Sequence, residues 1–160
     1  MRWLAHFLVF TCEEAWKSKG KTYSIHLEEF FKTDMKYKND SIAKKWEQIK
    51  NIRKVITGAL EIKRADKTIG SSLESHIDIY LSKEIKSIIE NIDLSEIAIT
   101  SSVALIVGKN PSSGFSLDDI KEIVVHVKKA KGLKCKRCWK FDSEINSSGI
   151  CKRCSEVIKK

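Results

Sequence analysis

Four cysteines near the end of the chain constrain its fold more than any other feature. They read Cys135-Lys-Arg-Cys138, twelve residues, then Cys151-Lys-Arg-Cys154. Each Cys-x-x-Cys places two thiolates on one metal ion from a tight turn, and two such turns complete a tetrahedron. That is the ligand set of a structural zinc site. A closed four-sulfur site leaves no open coordination position, so the expectation is one structural Zn2+ and no catalysis at the metal. Two disulfides would use the same four residues. The spacing favours zinc, and the isolated Cys12 offers no even disulfide framework, which fits a reducing, cytoplasmic setting.

Charge concentrates around the same segment. The chain has 160 residues and a formal charge of +9. Residues 1–127 carry 19 Lys/Arg against 18 Asp/Glu, whereas residues 128–160 carry 11 against 3. Four thiolates on one Zn2+ would leave roughly +6 there. A compact basic knob calls for a polyanion, nucleic acid first. The plainer alternative is a solubilising tail.

The apolar run Trp3–Phe10 is too short for a secretion signal. His6 interrupts it, and Glu13-Glu14 follow at once. No segment reaches about 18 apolar residues, so no membrane partner is expected. Arg2 to about Ser18 predicts a helix ended by Lys19-Gly20. Tyr23–Leu27 predicts a short extended segment. Asn39-Asp40-Ser41 is a helix N-cap cluster. From it Ile42, Trp46, Ile49, Ile52, Ile56, Ala59 or Leu60, and Lys63 recur at helical spacing over about 25 residues. Ile69-Gly70-Ser71-Ser72 marks a boundary. Beyond it, strands are expected at His76–Leu81, at Ile97–Val107 with a break at Ser101-Ser102, and at Glu122–Lys128. A short helix is expected at Lys83–Asn91 and a turn cluster at residues 109–114. The fold class is therefore α+β, with helices first, a small mixed α/β unit next, and a four-cysteine zinc ribbon or knuckle last.

No catalytic residue is assigned. The four histidines are scattered without ligand spacing, and Val107-Gly108-Lys109-Asn110 lacks the second glycine of a phosphate loop. Lys-Arg fills both knuckles, and Trp139 follows the second ligand. Cations there can neutralise phosphates, and an indole can stack on an unpaired base. The same indole can equally serve as a hydrophobic plug beneath the metal.

Four stretches together resemble the C-terminal end of bacterial isoleucyl-tRNA synthetases. Phe10-Thr11-Cys12-Glu13-Glu14-Ala15-Trp16 is similar to the family's Pro-Phe-x-Ala-Glu-Glu-x-Trp helix, and Ser24-Ile25-His26-Leu27 to its Ser-Val-His-Leu. Arg53-Lys54-Val55, Ala59-Leu60-Glu61, Arg64, Lys67 and Ile69-Gly70-Ser71-Ser72-Leu73-Glu74 resemble its long anticodon-domain helix and the following turn. Cys135-x-x-Cys138-Trp139 with Cys151-x-x-Cys154 resembles its terminal zinc finger. His6 and Val9 stand where the family commonly has proline, and Cys12 where it has alanine.

The resemblance implies an incomplete helical anticodon-binding bundle over 1–74, a small α+β domain over 75–131 and a zinc finger over 132–160. It implies tRNA(Ile) as partner, with RNA contacts by Arg64, Lys67, Lys136, Arg137, Trp139 and Arg153. The family ligates isoleucine to tRNA using ATP. Its catalytic and editing motifs are missing from this sequence, so ATP belongs to the complete enzyme only. A separate catalytic portion is then a further partner. Other readings are a standalone zinc-ribbon nucleic-acid-binding module and a gene remnant. A glycosylase-like enzyme would need a catalytic N-terminal residue and a helix-two-turn-helix segment, and neither is seen.

Overall fold

The structure, a computed structural model, describes residues 1–108, 111 and 113–158. The expected turn cluster at 109–114 therefore lies partly outside the described residues. The chain forms two compact units, Met1–Asp40 and Ser41–Lys160.

In the first unit, helix α1 spans Val9–Ser18. It starts later than the expected Arg2. Residues 2–7 form turns, and Leu8 at φ −111° and ψ 59° lies outside the helical region, which interrupts the ladder. Tyr23–Leu27 is not extended. Ile25–Leu27 is a 3-10 turn whose cap, Ser24, accepts from the His26 N–H. The Glu13 carboxylate accepts from Ser24 Oγ at 2.8 Å and from the Ile25 N–H at 3.0 Å. These local acceptors replace the ladder a strand would need. The unit's core is thin, with Ala5, Cys12 and Ile25 buried and Trp16 packed on them. Trp3, Phe7, Phe10, Phe30 and Phe31 are exposed.

The second unit is built around helix α2, Asp40–Ala65. Its 26 residues span about 39 Å. Ile49, Ile52, Val55, Ile56, Ala59 and Leu60 form its buried face. The stripe's first turns differ from its middle: Ile42 and Trp46 are exposed. The buried face shares one core with a four-stranded sheet. Strands β1 (Ser75–Leu81), β2 (Ser102–Val107), β3 (Phe115–Leu117) and β4 (Ile120–Lys129) lie in the order β2-β1-β4-β3. β1 pairs parallel with β2 and antiparallel with β4, so Ile77 faces both Val103 and Val127, and Ile79 faces both Leu105 and Val125. A parallel pair needs a long crossover. Helices α3 (Lys83–Ile89) and α4 (Leu94–Ile97) provide it, capped by Ser82 and Asp93.

Ile97–Thr100, expected as strand, is not one. Asp93 accepts from the Ser95 N–H and starts α4, and Ile99 turns through φ +56°. The strand begins at Ser102, the expected break. Ile77, Ile79 and Leu81 are fully buried, as the alternation predicts. Asp78 on the other face is also buried, 6% exposed. It takes His76 Nε2 at 3.0 Å and Lys128 Nζ at 2.5 Å.

Among the described residues no helix is long and apolar enough to cross a membrane.

Candidate metal centre and nucleic-acid surface

Beyond β4 the chain turns at Gly132, φ +100°. A Cβ there would collide with the Asp142 carbonyl oxygen. The turn lets β5 (Leu133–Lys134) pair with β6 (Phe141–Asp142) and close the first cysteine turn. The Cys135 N–H donates to the Lys140 carbonyl at 2.9 Å, and the Trp139 N–H to the Cys135 carbonyl at 2.9 Å. Trp139 sits at φ +65° to complete the knuckle, a conformation glycine would take without strain. The second cysteine turn runs into α5, Lys152–Ile158. An isolated bridge between Ile145 and Cys151 holds it in place.

These turns bring Cys135, Cys138, Cys151 and Cys154 together. Their sulfurs all lie within 4.8 Å of one another, and the four could hold one metal ion. Distance supports the fit. A tetrahedron with zinc–sulfur bonds of about 2.3 Å has sulfur–sulfur edges of about 3.8 Å, and Cys138 Sγ lies 3.7 Å from Cys151 Sγ. Donors point at the sulfurs too. The Cys151 N–H lies 3.4 Å from Cys135 Sγ, and Arg137 Nη1 lies 3.6 Å from Cys154 Sγ. Such outer contacts orient ligands and offset thiolate charge.

The thiols differ in acidity. Burial raises Cys135, but the N–H groups of Cys138, Cys151 and Arg137 outweigh it and bring it down to about 6. Burial pushes Cys138 up to about 12, with neighbouring thiols reinforcing the rise. Cys151 is raised, again by burial first. Burial opposes the charged form at these three sulfurs, and a divalent cation held there would supply charge that favours thiolates.

The expected RNA contacts fall into two groups. Lys136, Arg137, Trp139 and Arg153 belong to the knob. Lys136 lies across Gly149, and Arg153 pairs with Glu96 at 3.3 Å. Trp139 is 59% exposed, so its ring is a surface feature rather than a plug beneath the metal. Lys134 Nζ stands 5.7 Å from the ring centroid. Arg64 and Lys67 stand at the far end of α2. Arg64 pairs with Glu61 at 2.5 Å, and Lys67 leaves the helix at φ +60°. No described hydrogen bond or ion pair joins them to the knob.

The seating of the knob had no sequence signal. Lys140 Nζ donates to Ser95 Oγ at 3.1 Å, and the Phe141 N–H donates to Ser101 Oγ at 2.7 Å. Ser101 Oγ in turn donates to the Leu73 carbonyl. The first two pairs are 45 and 40 residues apart, and serines of this kind carry no motif.

Comparison with known proteins matches residues 1–81 to the anticodon-binding domain of tRNA ligases. Curated relatives cover almost the whole chain. An isoleucine–tRNA ligase of Bartonella henselae is 43% identical over 147 residues, 91% of this chain and 15% of the relative. Isoleucine–tRNA ligases of Brucella abortus and Agrobacterium fabrum are 40% and 39% identical over the same lengths. The chain thus spans about 15% of the length of the curated relatives it matches. With half of its residues in the family match, from α1 through α2 to β1, the chain belongs to the anticodon-binding domain family of tRNA ligases.

Proposed function

We propose that this chain is the part of an isoleucine–tRNA ligase that holds the anticodon arm of tRNA(Ile). The observation that carries this reading is the likeness to isoleucine–tRNA ligases over 91% of the chain, with residues 1–81 in the anticodon-binding family. The four cysteines hold one structural zinc ion, which keeps the knuckles rigid without a large core. Lys136, Arg137 and Arg153 neutralise phosphates, and Trp139 stacks on an unpaired base. Arg64 and Lys67 add contacts from the end of α2. Amino-acid activation with ATP belongs to a catalytic portion of the enzyme. This chain positions the tRNA so that its distant acceptor end reaches that portion. The setting is the cytoplasm.

The test is binding of tRNA(Ile) to the zinc-loaded chain by fluorescence anisotropy, with a second tRNA as competitor. Preference for tRNA(Ile) supports the reading. Equal affinity for any duplex favours a general nucleic-acid-binding module, to which the basic knob alone would also point. Chelation of zinc is expected to unfold residues 134–155 and weaken binding.

A further inference from the structure

The lysines just before the knob border a cleft of about 690 Å³. Its walls come from two places. One is the sheet end where β1, β2 and β4 meet: Ser75 pairs with Lys129, and His76 with both Lys128 and Ser102. The other is the start of β6, with Phe141 and Asp142. Both walls are fixed. The Ala130 N–H donates to the Glu74 carbonyl at 2.7 Å on one side, and the Phe141 N–H to Ser101 Oγ on the other.

The lining charge is one-sided. Lys128, Lys129 and Lys131 face the cleft against a single lining carboxylate, Asp142. Asp142 Oδ1 is already occupied by the Glu144 N–H at 2.9 Å. Lys128 is paired with Asp78, whereas Lys129 and Lys131 make no ion pair among the described residues. Phe141, half-buried, supplies an apolar ring in the same cleft. Unpaired cations beside an aromatic ring, in a volume within the roughly 300–1,000 Å³ of small-ligand sites, match the chemistry of a nucleotide.

We propose that this cleft seats one or two unpaired nucleotides of the bound RNA, with phosphate on Lys129 and Lys131 and a base against Phe141. The inference rests on the RNA-binding reading above and adds residues outside the knuckles to it. Because one wall is held by a backbone hydrogen bond and the other by a backbone N–H on the Ser101 hydroxyl, little ordering accompanies binding.

The experiment uses the full zinc-loaded chain and fluorescent tRNA(Ile), titrated at several salt concentrations. The double variant Lys129→Ala, Lys131→Ala is compared with Lys136→Ala in the knob. Circular dichroism and zinc content establish folding of each. The expected result is a roughly tenfold loss of affinity for the double variant. The slope of log K against log salt should shrink by about 1.4, two single-strand phosphate contacts. Phe141→Leu is expected to weaken a ten-nucleotide single-stranded RNA more than the duplex of the same sequence. If the double variant keeps both affinity and slope while Lys136→Ala loses them, the cleft is not the site and RNA binding elsewhere stands. If the wild-type chain binds no tRNA at all, the underlying reading falls and takes the cleft with it.

Discussion

At the scale of single residues, the sulfur quartet and one buried carboxylate make the sharpest demands. Replacing any one quartet cysteine, Cys151→Ser for example, leaves three thiolates and opens the site. The expected outcome is loss of bound zinc and of ordered signals from residues 134–155, with the sheet intact, read by metal analysis and NMR. Trp139→Ala removes an exposed ring, so stability should stay within about 0.5 kcal/mol. RNA binding should weaken by about 1–3 kcal/mol through lost stacking, measured by anisotropy. Asp78 gives a pH dependence. Burial raises its carboxyl, but Lys128 and His76 outweigh that and hold it below its ordinary 3.8. Asp78 raises Lys128 above its ordinary 10.5. A depressed carboxyl stabilises the fold above its unfolded value and loses that contribution as pH falls through the folded value. The raised Lys128 stabilises below its unfolded value and loses that contribution as pH climbs through the folded value. Asp78→Asn should therefore lower Tm at pH 7, and by progressively less as pH falls below the ordinary 3.8, measured by thermal unfolding across that range.

At the scale of elements, the 3.6-residue stripe in α2 and the alternation in β1 were legible because one buried face repeats over many residues. Ile52 and Val55 are wholly buried against the sheet. Ile52→Ala is expected to cost about 2–5 kcal/mol in denaturant unfolding, and exposed Ile42→Ala far less. Gly58 sharpens the same point. A Cβ there would lie 2.6 Å from Phe115 Cε1, so α2 and β3 approach each other through this glycine. Gly58→Ala gains up to about 1 kcal/mol of helix propensity. It pushes on a packed ring at a cost of about 1–3 kcal/mol, so net destabilisation is expected. Strand β3 itself was not legible. Three residues carry no period, and Phe115–Leu117 becomes a strand only through pairing with β4. Ile97–Thr100 misled because β-branched composition signals strand, while an Asp93 cap and a left-handed Ile99 decide otherwise. The gathering of the four cysteines was legible, since their spacing alone places two pairs of sulfurs for one ion. The cleft was not: its walls join β1, β2 and β4 to β6 across long stretches of sequence.

For the molecule as a whole, the uneven charge bears on the proposed mode of recognition. The excess of eight cations in residues 128–160 makes binding to a polyanion strongly salt-dependent, while residues 1–127 are nearly balanced. In the proposed complex, phosphate contacts of this kind would supply affinity, and unpaired bases at Trp139 and in the cleft would supply preference. The role proposed for the chain is to hold the anticodon arm of tRNA(Ile). The deciding measurement is anisotropy of labelled tRNA(Ile) with the zinc-loaded chain, competed by an isolated tRNA(Ile) anticodon stem-loop and by the same stem-loop with its anticodon changed. The native stem-loop is expected to displace the tRNA, and the altered one to do so at least tenfold less well. Equal displacement by both stem-loops would contradict a role in holding that arm.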